Sequence, residues 1–225
     1  MPDGRFGRLR KRDTPRGMAS PPRPSWFYYF VGAVSYPFAR VLFRHRWRDV
    51  EHVPAVGGCV LAANHLSNFD PWALGLPLFP RRYLRFMGKS ELFNPILGPI
   101  ITAGGAFKVR RGQRDTEAIE TAVGLARDGH VVVMFPEGTR RKKGMVKKHE
   151  ARPHTGAARI ALEAGVPLVP AAIRGTDSLL RLGPLRVAYG APVELDDLRD
   201  LEPKDAAQQA TERLMAEIAR LEETL

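Results

Sequence analysis

Residues 59–70, CVLAANHLSNFD, decide the fold of this chain. The first five residues are apolar, which predicts a buried strand, and polar residues follow at once. A second segment, residues 131–140, places VVVM before FPEGTR in the same way. Because sites collect at the carboxyl ends of strands in an open α/β sheet, we expect both polar segments at one edge. Together they indicate a general base beside an anion-binding pocket.

Strand and helix patterns alternate from Val50 onward, which predicts a twisted mixed α/β sheet flanked by helices. Apolar residues at helical spacing predict a helix over 116–128, between Asp115 as its cap and Gly129 as its end. The candidate strands are 58–63, 101–110, 131–135, 168–173 and 185–189, and the candidate helices are 71–78, 116–128, 155–164 and 201–222.

The length of 225 residues suits one domain with a sizeable core, which we expect over residues 49–225, and an appendage. The single cysteine, Cys59, lies in a predicted strand, so we interpret it as a small buried hydrophobic residue. It cannot form an internal disulfide, and an oxidising compartment is therefore not implied.

Most of the positive charge lies at the N-terminus. Residues 1–48 hold eleven Lys and Arg against two Asp, out of a total net charge of +11. Residues 1–24 are rich in Arg, Pro and Gly and are expected to be disordered. This asymmetry suggests contact with anionic lipid headgroups or nucleic acid. Nucleic acid is not the expected partner, because the nearly neutral remainder offers no obvious groove of cations.

Residues 25–48 combine aromatic residues with arginines. Pro37 and Arg40 interrupt the apolar run before it reaches the roughly 20 residues that a membrane-spanning helix needs. Aromatic and cationic residues together are typical of an interfacial anchor, so we expect a helix or kinked hairpin that associates with the membrane surface. A helix packed on the protein's own core is the alternative. A signal peptide is not expected, since no small-residue cleavage pattern follows.

His65 is the candidate catalytic residue. A histidine ordinarily titrates near neutral pH and can accept a proton from a hydroxyl group. Asp70 lies five positions later, and a turn between the two would bring its carboxylate to the imidazole, fixing the tautomer. A purely structural histidine is the alternative.

Two other kinds of site are not expected. A metal site is not expected because the chain lacks a His/Cys cluster at ligand spacing. An esterase would need a nucleophile turn, Gly-x-Ser-x-Gly, that is not present.

The turn after the second strand has the composition of a phosphate site. Gly138 lets backbone N–H groups approach an anion, Thr139 adds a hydroxyl, and the Arg140 guanidinium matches phosphate oxygens. Glu137 would not bind phosphate, and we expect it to order the turn or hold a substrate hydroxyl. A solvated surface turn is the alternative.

Two further segments carry weaker signals. Residues 104–112, GGAFKVRRG, deliver three cations at the end of a strand, which suits a second phosphate contact or a charged edge strand. In residues 165–174, Val166, Pro167 and Pro170 belong to an apolar run that fits a central strand poorly. That run could line a groove for a hydrocarbon chain, and core packing explains it equally well.

Taken in order, these segments resemble the glycerolipid acyltransferase family, which includes the 1-acylglycerol-3-phosphate acyltransferases. The family's four motifs, Asn-His-x4-Asp, Gly-x-x-Phe ending in Arg, Phe-Pro-Glu-Gly-Thr-Arg and Val-Pro-x-Val-Pro, match residues 64–70, 105–111, 135–140 and 166–170. Four motifs in order are highly specific.

The sequence departs from the family pattern in two places. Lys108 and Arg110 stand where an apolar or acidic residue is common, which bears on acceptor preference. Residues 154–156, His-Thr-Gly, stand where a Lys-Gly pair is frequent, so one expected cation is missing.

The resemblance implies a phospholipid-biosynthesis enzyme, a 1-acylglycerol-3-phosphate O-acyltransferase without metal or bound cofactor. His65 would deprotonate the hydroxyl of a lysophospholipid acceptor, which attacks the thioester of acyl-CoA or acyl carrier protein, and Asp70 would orient His65. The implied location is the cytoplasmic face of the membrane, peripheral or interfacial. Another lysolipid or a glycolipid acceptor is an alternative, as is a non-catalytic protein that binds anionic membrane or nucleic acid. The implied phosphate-binding residues are Arg111, Glu137, Gly138, Thr139 and Arg140.

Overall fold

One sheet organises the part of the chain that the structure, a computed structural model, describes: residues 24–89, 93–95, 97–109, 116–138 and 153–225. Its strands are β1 (Arg46–Arg48), β2 (Cys59–Ala63), β3 (Leu84–Lys89), β4 (Ala106–Val109), β5 (Val131–Met134), β6 (Leu168–Arg174) and β7 (Arg186–Tyr189). The helices are α1 (Trp26–Leu42), α2 (Asp70–Gly75), α3 (Leu97–Ala103), α4 (Thr116–Arg127), α5 (Gly156–Ala164) and α6 (Pro203–Glu223).

The sheet is mixed, with the spatial order β1-β7-β6-β2-β5-β3-β4. Strands β2 to β6 are parallel to one another, whereas β7 is antiparallel to β6 and β1 is parallel to β7. The carboxyl ends of β2, β5 and β6 therefore share one edge, here called the carboxyl edge, and β7 and β1 begin there. The predicted mixed α/β sheet flanked by helices is confirmed.

Helices cover the two faces of the sheet, and the two larger apolar cores of the described residues lie one on each face. On one face, α4, α5 and α6 pack on Val60 and Val132. On the other face, α2 and the strand residues Leu61 and Tyr189 form the second core. The Tyr189 hydroxyl, fully buried, donates a 2.7 Å hydrogen bond to the carbonyl of Leu74, which fixes α2 against the sheet.

The predicted core residues lie where the sequence places them. Cys59 is fully buried, and burial raises the pKa of its thiol to about 11. Gly129 follows α4 with φ of +88°, the left-handed conformation that ends a helix most easily in glycine. Asp115 lies outside the described residues, as do residues 1–23. The buried residues of α4 and α6 include Ile119, Ala122, Val123, Ala126, Leu214, Ile218 and Leu221.

The prediction of one strand over 101–110 is wrong in its first half. Residues 97–103 form α3, and the chain then turns through Gly104 and Gly105 into β4. Gly105 has φ of +104°, and a Cβ there would lie 2.0 Å from the carbonyl oxygen of Leu84. The two glycines therefore make a tight turn between helix and strand, inside the range that was predicted to be one strand.

The N-terminal segment, expected to be helical over 25–48, is a helix only as far as Leu42. Its last three residues form β1, which pairs with β7 from Arg46 opposite Arg186. The chain reverses between the two elements through Arg44, whose φ is +45°. Helix α1 packs through Tyr28, whose hydroxyl donates to the Arg82 carbonyl at 3.2 Å. Among the described residues, no helix combines the length and apolarity needed to cross a membrane.

Pro170 lies inside β6, between β2 and β7, although prolines were expected to fit a central strand poorly. The β6–β7 pairing begins only at Ala171, opposite Tyr189, so the missing N–H of Pro170 faces the side where β7 has ended. Its carbonyl still accepts a 2.8 Å hydrogen bond from the Gly190 N–H. The strand therefore tolerates this proline without losing a ladder bond.

Candidate active site

Asn64 directly follows β2 at the carboxyl edge and is buried. Its Oδ1 accepts a 2.8 Å hydrogen bond from the Ile173 N–H, and its Nδ2 donates to the Ile173 carbonyl at 2.9 Å. Nδ2 also donates to Oε1 of Glu222 at 2.6 Å. The amide side chain thus continues the β2–β6 pairing in place of backbone, and it fixes the point where the chain turns away toward His65.

His65 and Asp70 face each other across the turn that follows. Nδ1 of His65 lies 2.7 Å from Oδ2 of Asp70. The same oxygen accepts backbone hydrogen bonds from Leu66 at 2.7 Å and Ser67 at 2.9 Å. Because a carboxylate oxygen accepts, Nδ1 carries the proton, and the lone pair of Nε2 is left for another partner. The predicted return of Asp70 to the imidazole is present in the structure.

Asp70 is fully buried and is held on both of its oxygens. Oδ1 accepts a 2.5 Å hydrogen bond from the hydroxyl of Thr176, a buried residue two positions beyond the end of β6. A buried carboxylate is costly unless hydrogen bonds satisfy it, and four donors do so here. This set of donors fixes the orientation of the carboxylate and, through it, the imidazole.

Phe135 supports the other side of the imidazole. The two rings stack with centroids 4.1 Å apart and an angle of 17° between their planes. Phe135 follows β5, which pairs with β2 up to Met134 opposite Ala62, so the two motifs adjoin at the carboxyl edge as predicted. The side chain of His65 remains 18% exposed, so the ring is held between Asp70 and Phe135 but stays accessible.

The Glu137–Gly138 turn lies directly beyond Phe135. The Gly138 N–H donates a 3.0 Å hydrogen bond to the Phe135 carbonyl, and Gly138 has φ of +68°. A Cβ at Gly138 would lie 2.4 Å from the ring of His154, whose own N–H donates to the Pro136 carbonyl at 2.8 Å. His154, noted as a departure from the family pattern, thus closes the turn from the side of α5.

The structure brings together only part of the predicted phosphate site. Glu137 and Gly138 lie at the carboxyl edge, just after Phe135, which stacks on His65. Arg111, Thr139 and Arg140 lie outside the described residues, so their roles stay predictions. Strand β4, which leads toward Arg111, is three strands away from β2, about 14 Å at ordinary strand spacing.

The residues named for an acyl-chain or structural role lie elsewhere. Val166 and Pro167 precede β6 at the opposite edge of the sheet, and Pro170 is buried within it. The position of Pro170 favours core packing. A separate cleft of about 690 Å³ lies between α3 and β3, lined by residues that include Tyr83, Phe93 and Pro99. None of its lining residues belongs to the His65–Asp70 turn.

Sequence reasoning assigned no role to three residues that build the site: Asn64, Phe135 and Thr176. Asn64 and Phe135 stand inside the quoted motifs and directly follow strands, which was an available signal. Thr176 lies 106 positions from Asp70 in the chain, and only the adjacency of β6 and β2 brings the two together. Within the described parts of the chain, no group of three or more His, Cys, Asp or Glu side chains is arranged to hold a metal ion.

Comparison with known proteins identifies the family of this chain. The sequence model of the family described as Acyltransferase matches residues 44–174, which include the His65–Asp70 turn and Phe135. A 1-acyl-sn-glycerol-3-phosphate acyltransferase of Bacillus subtilis (strain 168) is 33% identical over 179 residues, or 78% of this chain and 86% of that protein. A protein of the same name from Haemophilus influenzae is 28% identical over 210 residues, or 87% of this chain and 84% of that protein.

The fold is also similar to a solved structure. The crystal structure of the 1-acyl-sn-glycerophosphate (LPA) acyltransferase PlsC from Thermotoga maritima matches with a TM-score of 0.60 and 23% identity. The match covers 87% of this chain and 78% of that one, and it concerns the fold. Since the family model matches more than half of the chain, the protein belongs to the acyltransferase family.

Proposed function

We propose that this protein transfers a fatty acyl group from an acyl thioester, acyl-CoA or acyl carrier protein, to the free hydroxyl of lysophosphatidic acid, giving phosphatidic acid. Two relatives that each match most of this chain carry the name 1-acyl-sn-glycerol-3-phosphate acyltransferase. The observation that carries the proposal is the His65–Asp70 pair. Nδ1 of His65 lies 2.7 Å from Oδ2 of Asp70, which leaves Nε2 available to accept a proton.

His65 acts as the general base in this proposal. Nε2 takes the proton of the acceptor hydroxyl as the hydroxyl oxygen attacks the thioester carbonyl. The new carbon–oxygen bond forms, the carbon–sulfur bond breaks, and the imidazolium returns the proton to the leaving thiolate. Asp70 keeps the proton of the resting imidazole on Nδ1 and stabilises the imidazolium while it exists. No enzyme nucleophile is needed, because the acceptor supplies one.

The acceptor's phosphate is assigned to the turn that follows β5. Gly138, whose own N–H donates to the Phe135 carbonyl, shapes this turn, and Glu137, Thr139, Arg140 and Arg111 complete the set that the family resemblance implies. Phe135, whose ring stacks on His65, precedes this turn, and the proposal requires the acceptor to reach from a phosphate held at the turn to Nε2 with its free hydroxyl. A different lysolipid or a glycolipid intermediate would use the same base with another headgroup contact.

An acceptor panel tests this function. Purified protein is given a long-chain acyl-CoA or acyl carrier protein, and thiol release is measured with lysophosphatidic acid, glycerol-3-phosphate, other lysolipids and no acceptor. Release that requires lysophosphatidic acid supports the proposal. Release with a different acceptor keeps the chemistry and changes the substrate. If folded, lipid-supplemented protein releases no thiol with any of these acceptors and with either donor, the result would instead favour the non-catalytic binding protein.

We also propose that α1 holds the protein at the cytoplasmic face of the membrane, lying in the surface. Trp26, Phe30, Val34, Phe38 and Val41 repeat at helical spacing and are each more than half exposed. The opposite side of α1 packs on the domain through Gly32 and Ala39, which are buried. An exposed apolar stripe of this kind is typical of an interfacial helix.

Vesicle flotation tests the membrane proposal. We expect the full chain to float with vesicles that contain phosphatidylglycerol, and Phe30→Ser together with Phe38→Ser to reduce that binding strongly. If the folded double variant floated as well as the wild-type protein, α1 would not be the membrane anchor.

A further inference from the structure

The loop between β6 and β7 presents apolar side chains to solvent. It runs over residues 175–184 and includes a short 3-10 helix, Thr176–Arg181. Leu180 is fully exposed, and Leu182 is half exposed with φ of +49°. A left-handed conformation is unfavourable for leucine, so the loop holds this residue outward at a cost.

The loop is a well-defined element. A Cβ at Gly175 would lie 2.3 Å from the Pro184 carbonyl, so its two ends approach closely. Thr176, at the start of the loop, donates a hydrogen bond to the buried Asp70 carboxylate. The position of Leu180 is therefore set relative to the His65–Asp70 pair.

The loop adjoins the C-terminal end of α1. The Arg44 guanidinium donates to the Leu182 carbonyl at 3.3 Å, and the Leu185 N–H donates to the Phe43 carbonyl at 2.9 Å. The end of α1 exposes Phe38 and Val41. Two segments that hydrogen bonds join near the carboxyl edge thus both carry exposed apolar side chains.

Arginines mark the same edge. Arg174, Arg186 and Arg46 lie directly opposite one another as the terminal residues of β6, β7 and β1. Like charges in this register repel one another. The guanidinium groups of Arg46 and Arg174 are exposed and form no hydrogen bond or ion pair with another described residue. A surface rich in phosphate would relieve this repulsion, since guanidinium groups bind phosphate bidentately.

We propose that the 175–184 loop is a second membrane-contact element, which places Leu180 and Leu182 among the headgroups of an anionic bilayer while the edge arginines bind lipid phosphates. The inference rests on the membrane location proposed above and extends it from α1 to the carboxyl edge. Its consequence is that His65 opens toward the lipid surface, where a lysolipid acceptor resides. Long arginine side chains can reach from the strand ends to headgroups.

Vesicle binding by matched variants tests the contribution of Leu180 to membrane contact. Leu180→Ser should weaken the binding of the full chain to vesicles of phosphatidylcholine and phosphatidylglycerol by about fivefold or more. Val56→Ser is the control, because Val56 is equally apolar and largely exposed but precedes β2 at the opposite edge. Leu180→Trp should show a blue-shifted emission on adding the vesicles. The proposal would be overturned if Leu180→Ser bound the vesicles as tightly as the wild-type protein, or if the emission of Leu180→Trp did not shift.

The arginines are tested by changing the lipid charge. Arg46→Gln with Arg174→Gln should lower binding to the phosphatidylglycerol vesicles by about tenfold and binding to pure phosphatidylcholine, which has a phosphate but no net charge, by much less. Arg81→Gln, an exposed arginine before β3, is the control. If the double variant instead raises the KM for acyl-CoA in detergent and binds vesicles normally, the arginines serve the soluble donor and the proposal fails.

Activity in detergent separates this inference from the proposed reaction. The Leu180 and arginine variants should keep wild-type turnover with detergent-dispersed lysophosphatidic acid. Vesicle binding is measured independently of turnover. An inactive wild-type protein would therefore contradict the proposed acyl transfer, whereas the vesicle measurements would still decide whether the 175–184 loop contacts the membrane.

Discussion

The hydroxyl of Thr176 donates a 2.5 Å hydrogen bond to Oδ1 of Asp70, across 106 positions of sequence. Both residues are buried, and the other oxygen of Asp70 is taken by His65 and two backbone N–H groups. Thr176 therefore acts as a positioning residue, since it fixes the carboxylate that orients the imidazole.

Thr176→Val should lower kcat by about tenfold with little change in KM, because the valine has the same shape but leaves Oδ1 without its donor. The unsatisfied buried oxygen should also cost about 1–3 kcal/mol of unfolding free energy. Steady-state kinetics and urea denaturation measure the two effects. Thr176→Ser should restore most of kcat. Equal losses in the serine and valine variants would show that the methyl group matters and the hydrogen bond does not.

Asp70→Asn should reduce kcat by up to about 10⁴-fold while the protein stays folded. The amide can present its oxygen to the N–H groups of Leu66 and Ser67, but it carries no charge to stabilise the imidazolium. Circular dichroism and thiol-release kinetics are measured on the same sample. Near wild-type turnover in the folded variant would contradict the role given to Asp70.

Gly138→Ala should damage both stability and acceptor binding. Its φ of +68° disfavours a side chain, and the new Cβ would lie 2.4 Å from the His154 ring. We expect a loss of about 1–2 kcal/mol in unfolding free energy and a raised KM for lysophosphatidic acid. Gly124→Ala is the control, because that helix position has open space around it and the change should be neutral or stabilising. Similar effects of the two substitutions would argue against a constrained turn.

His45 should make the protein less stable in mild acid. Burial, and then the charges of Arg40 and Arg186, lower the pKa of its imidazole to about 4. Between about pH 6.5 and 4 the unfolded chain binds a proton that the native state does not, so this group's contribution to stability falls as pH falls. From pH 7 to 5 the loss should approach about 2 kcal/mol. Urea denaturation at both pH values should show a smaller loss in His45→Gln, and an identical loss would assign the acid sensitivity to other groups.

The sequence predicted the features that depend on local pattern. The buried strands before Asn64 and Phe135, the helix around Ala122 and the approach of Asp70 to His65 all follow from short-range periodicity or spacing. The turn at Gly105 was misjudged, because two glycines suit a bend in a strand as well as a helix-to-strand turn.

Features that depend on strand order could not be predicted from local pattern. Strand β1 pairs with β7, some 140 positions away in the chain, and its three residues carry no distinctive alternation. Thr176 was missed for the same reason. It reaches Asp70 only because β6 lies beside β2, and this strand order is not visible in local sequence. Pro170 was expected to fit a central strand poorly, and the strand accepts it because β7 does not continue past Tyr189.

The central claim is that His65 is the general base. The direct measurement is lysophosphatidic acid-dependent release of CoA from a long-chain acyl-CoA by wild-type, His65→Ala and His52→Ala proteins. His52 is the control, because its ring contacts the Tyr189 carbonyl at 3.0 Å, away from the site. We predict that His65→Ala stays folded and loses about 10²–10⁴-fold in kcat, whereas His52→Ala stays active. Full activity in folded His65→Ala would contradict the account.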